Sequence, residues 1–190
     1  MARAKPRLIG ILLIVAAAAA LALGGRPAAP RAKLDLVAHA KGSITTSSGT
    51  RAILRAANLA PGQEVRGQVT VRYRSSAPGR VRLRQRLRSE QAGRGGGRLA
   101  DDLVLTIRQK RKRVTRTLYS GPMSGLRSVR LRRFRRHEKR KYFFAVSMPD
   151  HGLPAGPLAG DNAQQGASVT ADYIWSANSL NRGPTPGGYR

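Results

Sequence analysis

The sequence of 190 residues contains no cysteine, and only 5% of its residues are aromatic. Without thiols the chain forms no disulfide, and thiolate metal sites and thiol redox chemistry are excluded. Such a chain is held together by buried apolar side chains alone, which a domain of about 150 residues can provide. The low aromatic content predicts a thin core of valine, leucine and isoleucine.

Acidic residues are also scarce, because 9 Asp and Glu stand against 36 Lys and Arg, and the formal charge is +27. A surplus of this size attracts polyanions such as nucleic acid, anionic cell-wall polymers and acidic lipid. Arginine outnumbers lysine about fourfold, and the charge is spread over most predicted strands instead of one patch. The alternative interpretation is therefore a solvated surface on which arginine accumulated neutrally.

The N-terminus has the pattern of an export signal. Three basic residues precede an uncharged apolar run from Leu8 to Leu23, and Ala20-Leu21-Ala22 offers small residues for cleavage. The run has 16 residues, fewer than the roughly 20 that span a bilayer. We predict a helical signal peptide or uncleaved anchor at 1–23, a linker at 24–32, and a secreted or cell-surface protein.

A strict alternation from Arg80 to Arg88 is the most informative structural pattern, with a basic residue at every even position. Successive side chains of a β-strand point to opposite faces of the sheet. This segment is therefore expected to turn one face to a core and to carry a row of guanidinium groups on the other. On a helix the same residues would place arginine on every side.

Short alternating segments separated by turn residues continue along the chain and predict an all-β domain. The expected strands cover 33–38, 43–48, 51–57, 64–74, 80–88, 102–109, 114–119, 126–133, 142–148 and 168–177. No segment has the pattern of a long helix. We expect a two-sheet antiparallel β-sandwich over residues 33–177, followed by a flexible tail at 178–190.

Three connections carry specific predictions. Leu59-Ala60-Pro61-Gly62 is typical of a turn, since proline sets φ at the second position and glycine permits a positive φ. The short segment Ser75 to Gly79 predicts an antiparallel hairpin between the strands on either side of it. The glycine-rich loop Gln91 to Arg98 is not followed by Gly-Lys-Ser/Thr, so we expect neither a phosphate-binding loop nor a helix there.

Four segments form an ordered set along the chain. They are Asn58 to Gln63 followed by Val69-Thr70-Val71, Leu118 to Met123, Tyr142 to Asp150, and Asp161 to Gly166 leading into Ser168 to Ala177. This set, over about residues 43–177, resembles motifs of the TasA/camelysin family of secreted bacterial surface and biofilm-matrix proteins. The resemblance implies a jelly-roll-like β-sandwich that in some members polymerises, the N-terminal segment of one subunit completing the sheet of the next.

Patterns for catalysis and metal binding are missing. The three histidines are scattered, and neither His-Glu-x-x-His nor Gly-x-Ser-x-Gly occurs. Asp101-Asp102, Asp161 and Asp172 lack the spacing of a calcium loop and are expected to cap turns. Tyr173 and Trp175 alternate in the last strand and are expected in the core. We therefore expect no enzyme activity, no cofactor, no metal site and no small-molecule substrate.

Two functions remain open from the sequence. The first is a structural surface or matrix protein that self-assembles by β-strand addition, with Arg31 to Ser48 as the donor strand. The second is a module that binds extracellular DNA, anionic wall polymer or acidic lipid, because guanidinium groups pair with phosphate through two donors. With no aromatic residues among the arginines, such binding is expected to be independent of base sequence and strongly dependent on salt.

The candidate polyanion-binding residues are basic residues of the predicted strands and of the most highly charged segment, 132–141. They are Arg72, Arg74, Arg80, Arg82, Arg84, Arg86, Arg88, Arg130, Arg132, Arg135, Arg136, Lys139, Arg140 and Lys141.

Overall fold

A computed structural model describes residues 32–49, 51–152 and 159–179. The predicted signal segment, the linker up to residue 31 and the tail from residue 180 lie outside the described residues. Ala32 belongs to the first strand, and residues 178–179 belong to the last. In the described part of the chain, no helix is long and apolar enough to cross a membrane.

Within these residues the chain forms ten strands, and each of the ten predicted segments overlaps one of them. The strands are β1 (Ala32–Lys41), β2 (Ile44–Thr46), β3 (Ala52–Leu59), β4 (Glu64–Tyr73), β5 (Gly79–Gln91), β6 (Val104–Arg111), β7 (Val114–Pro122), β8 (Ser128–Arg130), β9 (Lys139–Ser147) and β10 (Ser168–Ser179). The helical elements are one turn of α-helix, α1 (Leu99–Asp102), and the 3-10 segments Met123–Gly125 and Gly160–Gln164.

The strands form two five-stranded sheets with mostly antiparallel pairing. Sheet 1 has the order β3-β1-β10-β5-β8, and sheet 2 has the order β2-β4-β9-β6-β7. The exception to antiparallel pairing is β1, which runs parallel to β10 from the pair Lys33 and Ser168 to the pair Lys41 and Ser176. The predicted all-β class and the two sheets are confirmed, and the predicted antiparallel pairing holds except between β1 and β10.

The inner faces of the two sheets meet in one apolar core. At its centre, Tyr173 and Trp175 of β10 pack against Tyr142 and Phe144 of β9, with ring centroids 4.9 to 6.2 Å apart. Aromatic pairs at such distances add about 0.5–1.5 kcal/mol each to the effect of burial. The expected core positions of Tyr173 and Trp175 are therefore confirmed, and the few aromatic residues are concentrated at the centre of the otherwise largely aliphatic core.

The predicted hairpin between β4 and β5 is wrong, because these strands lie in different sheets. They belong to opposite layers of the core, and residues 74–78 cross from one sheet to the other. Gly79 permits this crossing, since a Cβ at that position would lie 2.2 Å from the hydroxyl oxygen of Tyr73. Alternation shows which side of each strand is apolar, but it does not show whether the two strands lie side by side or face to face.

The other two connections give one confirmation and one correction. Gly62 has φ of 75°, and the N–H of Gln63 donates to the carbonyl of Ala60 at 3.1 Å, as the predicted turn requires. After the glycine-rich loop, however, α1 begins at Leu99, where no helix was expected. The Glu90 carboxylate holds this turn because it accepts the N–H of Ala100 at 3.1 Å, and β6 consequently begins at Val104.

Candidate anion-binding surface

The structure divides the candidate polyanion-binding residues among several places. Arg80, Arg82, Arg84, Arg86, Arg88 and Arg130 lie on the outer face of sheet 1; Arg72, Lys139 and Lys141 lie on the outer face of sheet 2; Arg74, Arg132, Arg135 and Arg136 lie in exposed connections; Arg140 is buried. Because the inner faces of the sheets meet in the core, the two outer faces point in opposite directions. The candidate residues therefore do not form one surface.

A groove of about 640 Å³ on the outer face of sheet 1 collects the largest group of these arginines. We call it the arginine groove. It is lined by Arg80, Arg82, Arg84, Arg130, Arg133, Ser176 and Asn178, with Val81 and Leu131. Three of the arginines come from alternate positions of β5, as the sequence predicted, while Arg133 was not among the candidates.

The arginines of the groove have no acidic partner among the residues that the structure describes. In the part of the chain that the structure describes, no carboxylate lies within 4.0 Å of a guanidinium nitrogen of any of the five. Arg82 and Arg130 are direct cross-strand partners, a position in which like charges destabilise a sheet. An anion bound between them would replace this repulsion with attraction.

Arg86 and Arg88, farther along the same strand, have a structural role instead. The side chain of Asp172 is only 1% exposed, and its Oδ2 lies 3.0 Å from Arg86 Nη2 and 3.6 Å from Arg88 Nε. His39 Nε2 lies 2.9 Å from its Oδ1. Asp172 thus stands in the middle of β10 and not in a turn, which corrects its expected role as a turn cap.

The pKa of Asp172 reflects these contacts. Burial acts to raise it, but the hydrogen bonds from Arg86 and His39 and the charge of Arg88 outweigh burial, so the pKa is lower than that of an ordinary aspartate. The carboxylate therefore stays ionised and neutralises part of the positive charge at this end of β5. The unpaired charge is left at the other end, in the arginine groove.

The prediction that Arg140 binds polyanions is wrong, because its side chain is only 1% exposed and cannot reach a ligand in solvent. Its guanidinium binds Glu138 and donates to the carbonyls of Arg132 and Arg133 at 2.8 and 2.6 Å. It also lies 3.7 Å from the centre of the Phe134 ring. Arg140 therefore secures the connection between β8 and β9, and with it the backbone of Arg133 at the groove.

The outer face of sheet 2 carries a second groove, of about 430 Å³, which the sequence analysis missed. It is lined by Glu64, Arg66, Gly67, Thr106, Arg108, Lys110, Thr115, Phe143, Phe144 and Ala145. Phe143 is partly exposed there, so the expectation that no aromatic residue lies among the basic residues is wrong on this face. The alternation of β9, with Tyr142 and Phe144 directed inward, was the signal that places Phe143 outside.

The described residues contain no group of three or more His, Asp or Glu side chains positioned to hold a metal ion. Two of the histidines face an aspartate: His39 contacts Asp172, and His151 Nε2 lies 3.4 Å from Asp102 Oδ1.

Comparison with known proteins gives only distant similarities. No protein-family model and no curated protein matches the sequence. Among solved structures, the chain is similar to AvmM, which catalyses macrocyclization in alchivemycin A biosynthesis, with 11% identity over 77% of this chain and 93% of that chain and a TM-score of 0.31. It is also similar to a family 123 glycoside hydrolase from Clostridium perfringens, with 7% identity over 76% of this chain and 23% of that chain and a TM-score of 0.31. At these TM-scores neither similarity supports an argument about function.

Proposed function

We propose that the protein binds extended polyanions in the arginine groove, as a binding protein and not as an enzyme. This proposal rests on one observation: five arginines lie in one groove, and none of them has a carboxylate partner within the described part of the chain. Outward side chains of a strand repeat at about 6.7 Å, twice the rise per residue. Arg80, Arg82 and Arg84 therefore offer a row of charges to a ligand that carries phosphate or sulfate groups along its length.

Guanidinium groups suit such ligands because each offers planar pairs of donors to an oxyanion. The groove is open to water, so most of the affinity would come from displaced counterions and would fall steeply with salt. Contacts between guanidinium groups and phosphates position a nucleic-acid backbone in the groove but do not distinguish one base sequence from another. We accordingly propose sequence-independent binding.

The setting that we propose is extracellular. The basic start, the apolar run and the small residues at 20–22 support export, and the motifs that resemble the TasA/camelysin family support a place at the cell surface or in a matrix. The polyanions available there are extracellular DNA, anionic wall polymers and acidic lipid.

We further propose that the two sheets form a jelly-roll-like β-sandwich. The order β1-β10-β5-β8 opposite β4-β9-β6-β7 supports this, because successive strands cross between the layers as they do in a double Greek key. The parallel pairing of β1 with β10 departs from the usual all-antiparallel arrangement. In this fold β5 and β8 are neighbours at one end of sheet 1, which brings the groove arginines together.

The test replaces Arg80, Arg82 and Arg84 by glutamine in one variant. Its matched control replaces Arg51, Arg94 and Arg113, three exposed arginines outside the groove, so that both variants lose the same net charge. Retention on heparin and affinity for a DNA duplex are measured at several salt concentrations. We expect the groove variant to bind more weakly than the control and its slope of log K against log salt to fall by about 2–3.

Equal weakening in the two variants would assign binding to net charge and overturn the proposal. Circular dichroism and urea denaturation establish that both variants are folded.

Self-assembly by strand addition is a second candidate, favoured by the position of β1. This strand pairs in parallel with β10 over nine residue pairs, and its Leu34, Leu36 and Ala38 are buried. A β1 from another copy would find the same pairing partners. Deleting the predicted donor segment 31–48 would also remove β1, an internal strand of sheet 1 between β3 and β10, so that deletion is expected to unfold the protein rather than to release monomers.

A cysteine pair tests strand exchange without removing β1, and the absence of native cysteine makes the result unambiguous. Lys33 and Ser168 are direct partners in β1 and β10, so Lys33→Cys and Ser168→Cys are within reach of a disulfide. Exchange predicts disulfide-linked ladders on non-reducing gels after oxidation at high protein concentration. A disulfide that stays within one chain at every concentration would reject this candidate.

A further inference from the structure

Phe143 lies at the centre of the outer face of sheet 2. Gln68 of β4 and Arg108 of β6 are its direct cross-strand neighbours. The strands are about 4.8 Å apart, and the ring is therefore flanked by one polar and one cationic side chain. The ring is partly exposed and lines the second groove, where a ligand can reach it.

Three cations surround this ring. Lys141 precedes it on the same face of β9, with its Nζ 6.0 Å from the ring centroid, and Lys110 is the cross-strand partner of Lys141. Arg108 completes the group. Within the described residues none of the three forms an ion pair, whereas Arg66 at the rim of the groove is held by Glu64.

The combination distinguishes this groove from the arginine groove. Cations alone attract any polyanion, but an exposed ring among cations favours a ligand that carries both negative charge and flat π-systems. Stacking on a sheet-borne aromatic ring with basic side chains along the backbone is how single-stranded nucleic acid is bound without base specificity. A duplex does not offer this contact, because its bases are already stacked on each other.

We propose that the groove around Phe143 binds single-stranded nucleic acid, with one base stacked on the Phe143 ring and the flanking phosphates at Arg108, Lys110 and Lys141. The site lies on the opposite side of the molecule from the arginine groove and does not depend on it. The protein is thereby able to hold an unpaired strand on one face and a polyanion of any kind on the other.

The experiment compares two probes of equal length and charge, an oligothymidylate and an abasic oligodeoxyribose phosphate. Wild-type protein is expected to prefer the thymidylate by about 5- to 140-fold, the range for one stacked base. Phe143→Leu removes the ring, and we expect it to abolish this preference while leaving the affinity for the abasic strand unchanged. Phe143→Tyr retains a ring and should retain the preference.

Val114→Ala is the matched control, since Val114 is 69% exposed and lies on the other side of β7 from Thr115, which lines the groove. It should behave as wild type. The Phe143→Trp variant adds a direct readout, because its new fluorescence is expected to be quenched by the thymidylate and not by the abasic strand. Thermal melting establishes that each variant is folded.

Equal affinity of wild-type protein for the two probes would overturn the proposal. So would a Phe143→Leu variant that loses heparin binding as strongly as thymidylate binding, which would assign the groove to acidic polysaccharide. The variant with Arg80, Arg82 and Arg84 replaced loses binding that does not discriminate between the probes, so it should bind both more weakly and keep or increase the preference for the thymidylate. Failure of the arginine groove and failure of the Phe143 site are therefore separate outcomes.

Discussion

The role of an individual arginine in this protein depends on the groups that it contacts. Arg140 is buried, and its charge is matched by Glu138 and by two backbone carbonyls. Burial acts to raise the pKa of Glu138, but the hydrogen bonds from Arg140 and from the Arg135 N–H, with the charges of Arg140 and Arg111, lower it overall. Both charges therefore persist in the folded state. Arg82 has no carboxylate partner in the described residues and remains available to a ligand.

Asp172 carries a prediction about pH. Its lowered pKa in the folded state means that it stabilises the protein above the unfolded pKa of about 3.9, and that this stabilisation is lost as pH falls through the folded value. Asp172→Asn is expected to lower the free energy of unfolding by about 1–2 kcal/mol at neutral pH. The difference from wild type should shrink below about pH 4. Urea denaturation at several pH values measures both effects.

Asp35→Asn is the control for this prediction. Asp35 lies on the same sheet but is more exposed and pairs with the exposed Arg55, so its loss should cost only about 0–1 kcal/mol. A difference between Asp172→Asn and wild type that stays constant down to the acid transition would contradict the role assigned to the Asp172 carboxylate.

At the scale of elements, the connection between β4 and β5 depends on Gly79. A methyl group there would meet the buried Tyr73, whose hydroxyl oxygen would be 2.2 Å and whose Cζ would be 2.7 Å away. Gly79→Ala is therefore expected to destabilise the fold by about 1–3 kcal/mol. Unfolding curves in urea measure this loss.

Tyr73→Phe tests whether the loss has the proposed cause. The Tyr73 hydroxyl is buried without a hydrogen-bond partner among the described residues, so its removal alone should have little effect. Combined with Gly79→Ala it relieves the closest contact and should recover part of the lost stability. A Gly79→Ala protein as stable as wild type would contradict the prediction, since it would show that Tyr73 and the backbone at residue 79 move apart at little cost.

At the scale of the whole molecule, a formal charge of +27 makes the folded state repel itself. The repulsion is greatest where like charges are adjacent, as at Arg82 and Arg130. We expect the melting temperature to rise with ionic strength and to rise further with a polyanion at constant ionic strength. The variant with Arg80, Arg82 and Arg84 replaced should be more stable than wild type at low salt and lose this advantage at high salt.

Differential scanning calorimetry over a salt series measures this effect, with the Arg51, Arg94 and Arg113 variant as the control of equal charge. If both variants gained the same stability at low salt, the repulsion between charges in the arginine groove would be no greater than that on the rest of the surface.

The sequence by itself determined the strands and their faces. The period of two is a local property of the chain, so the alternation from Arg80 to Arg88 was sufficient to direct Val81 and Leu83 into a core and the arginines to solvent. The same alternation predicted that Tyr173 and Trp175 are buried. Proline and glycine, which are also local signals, predicted the turn at Leu59–Gly62.

Only the tertiary structure decided which strands are neighbours and which charges remain unpaired. The partner of a strand depends on contacts between residues far apart in sequence, and for this reason β4 and β5 lie in different sheets although a short segment joins them. In the same way, Asp172 pairs with Arg86, 86 residues away in the sequence, whereas Arg80, Arg82 and Arg84 have no carboxylate partner in the described ranges. The charge of each residue and the alternation along a strand are properties of consecutive residues. The neutralisation of a charge requires a partner that only folding brings close.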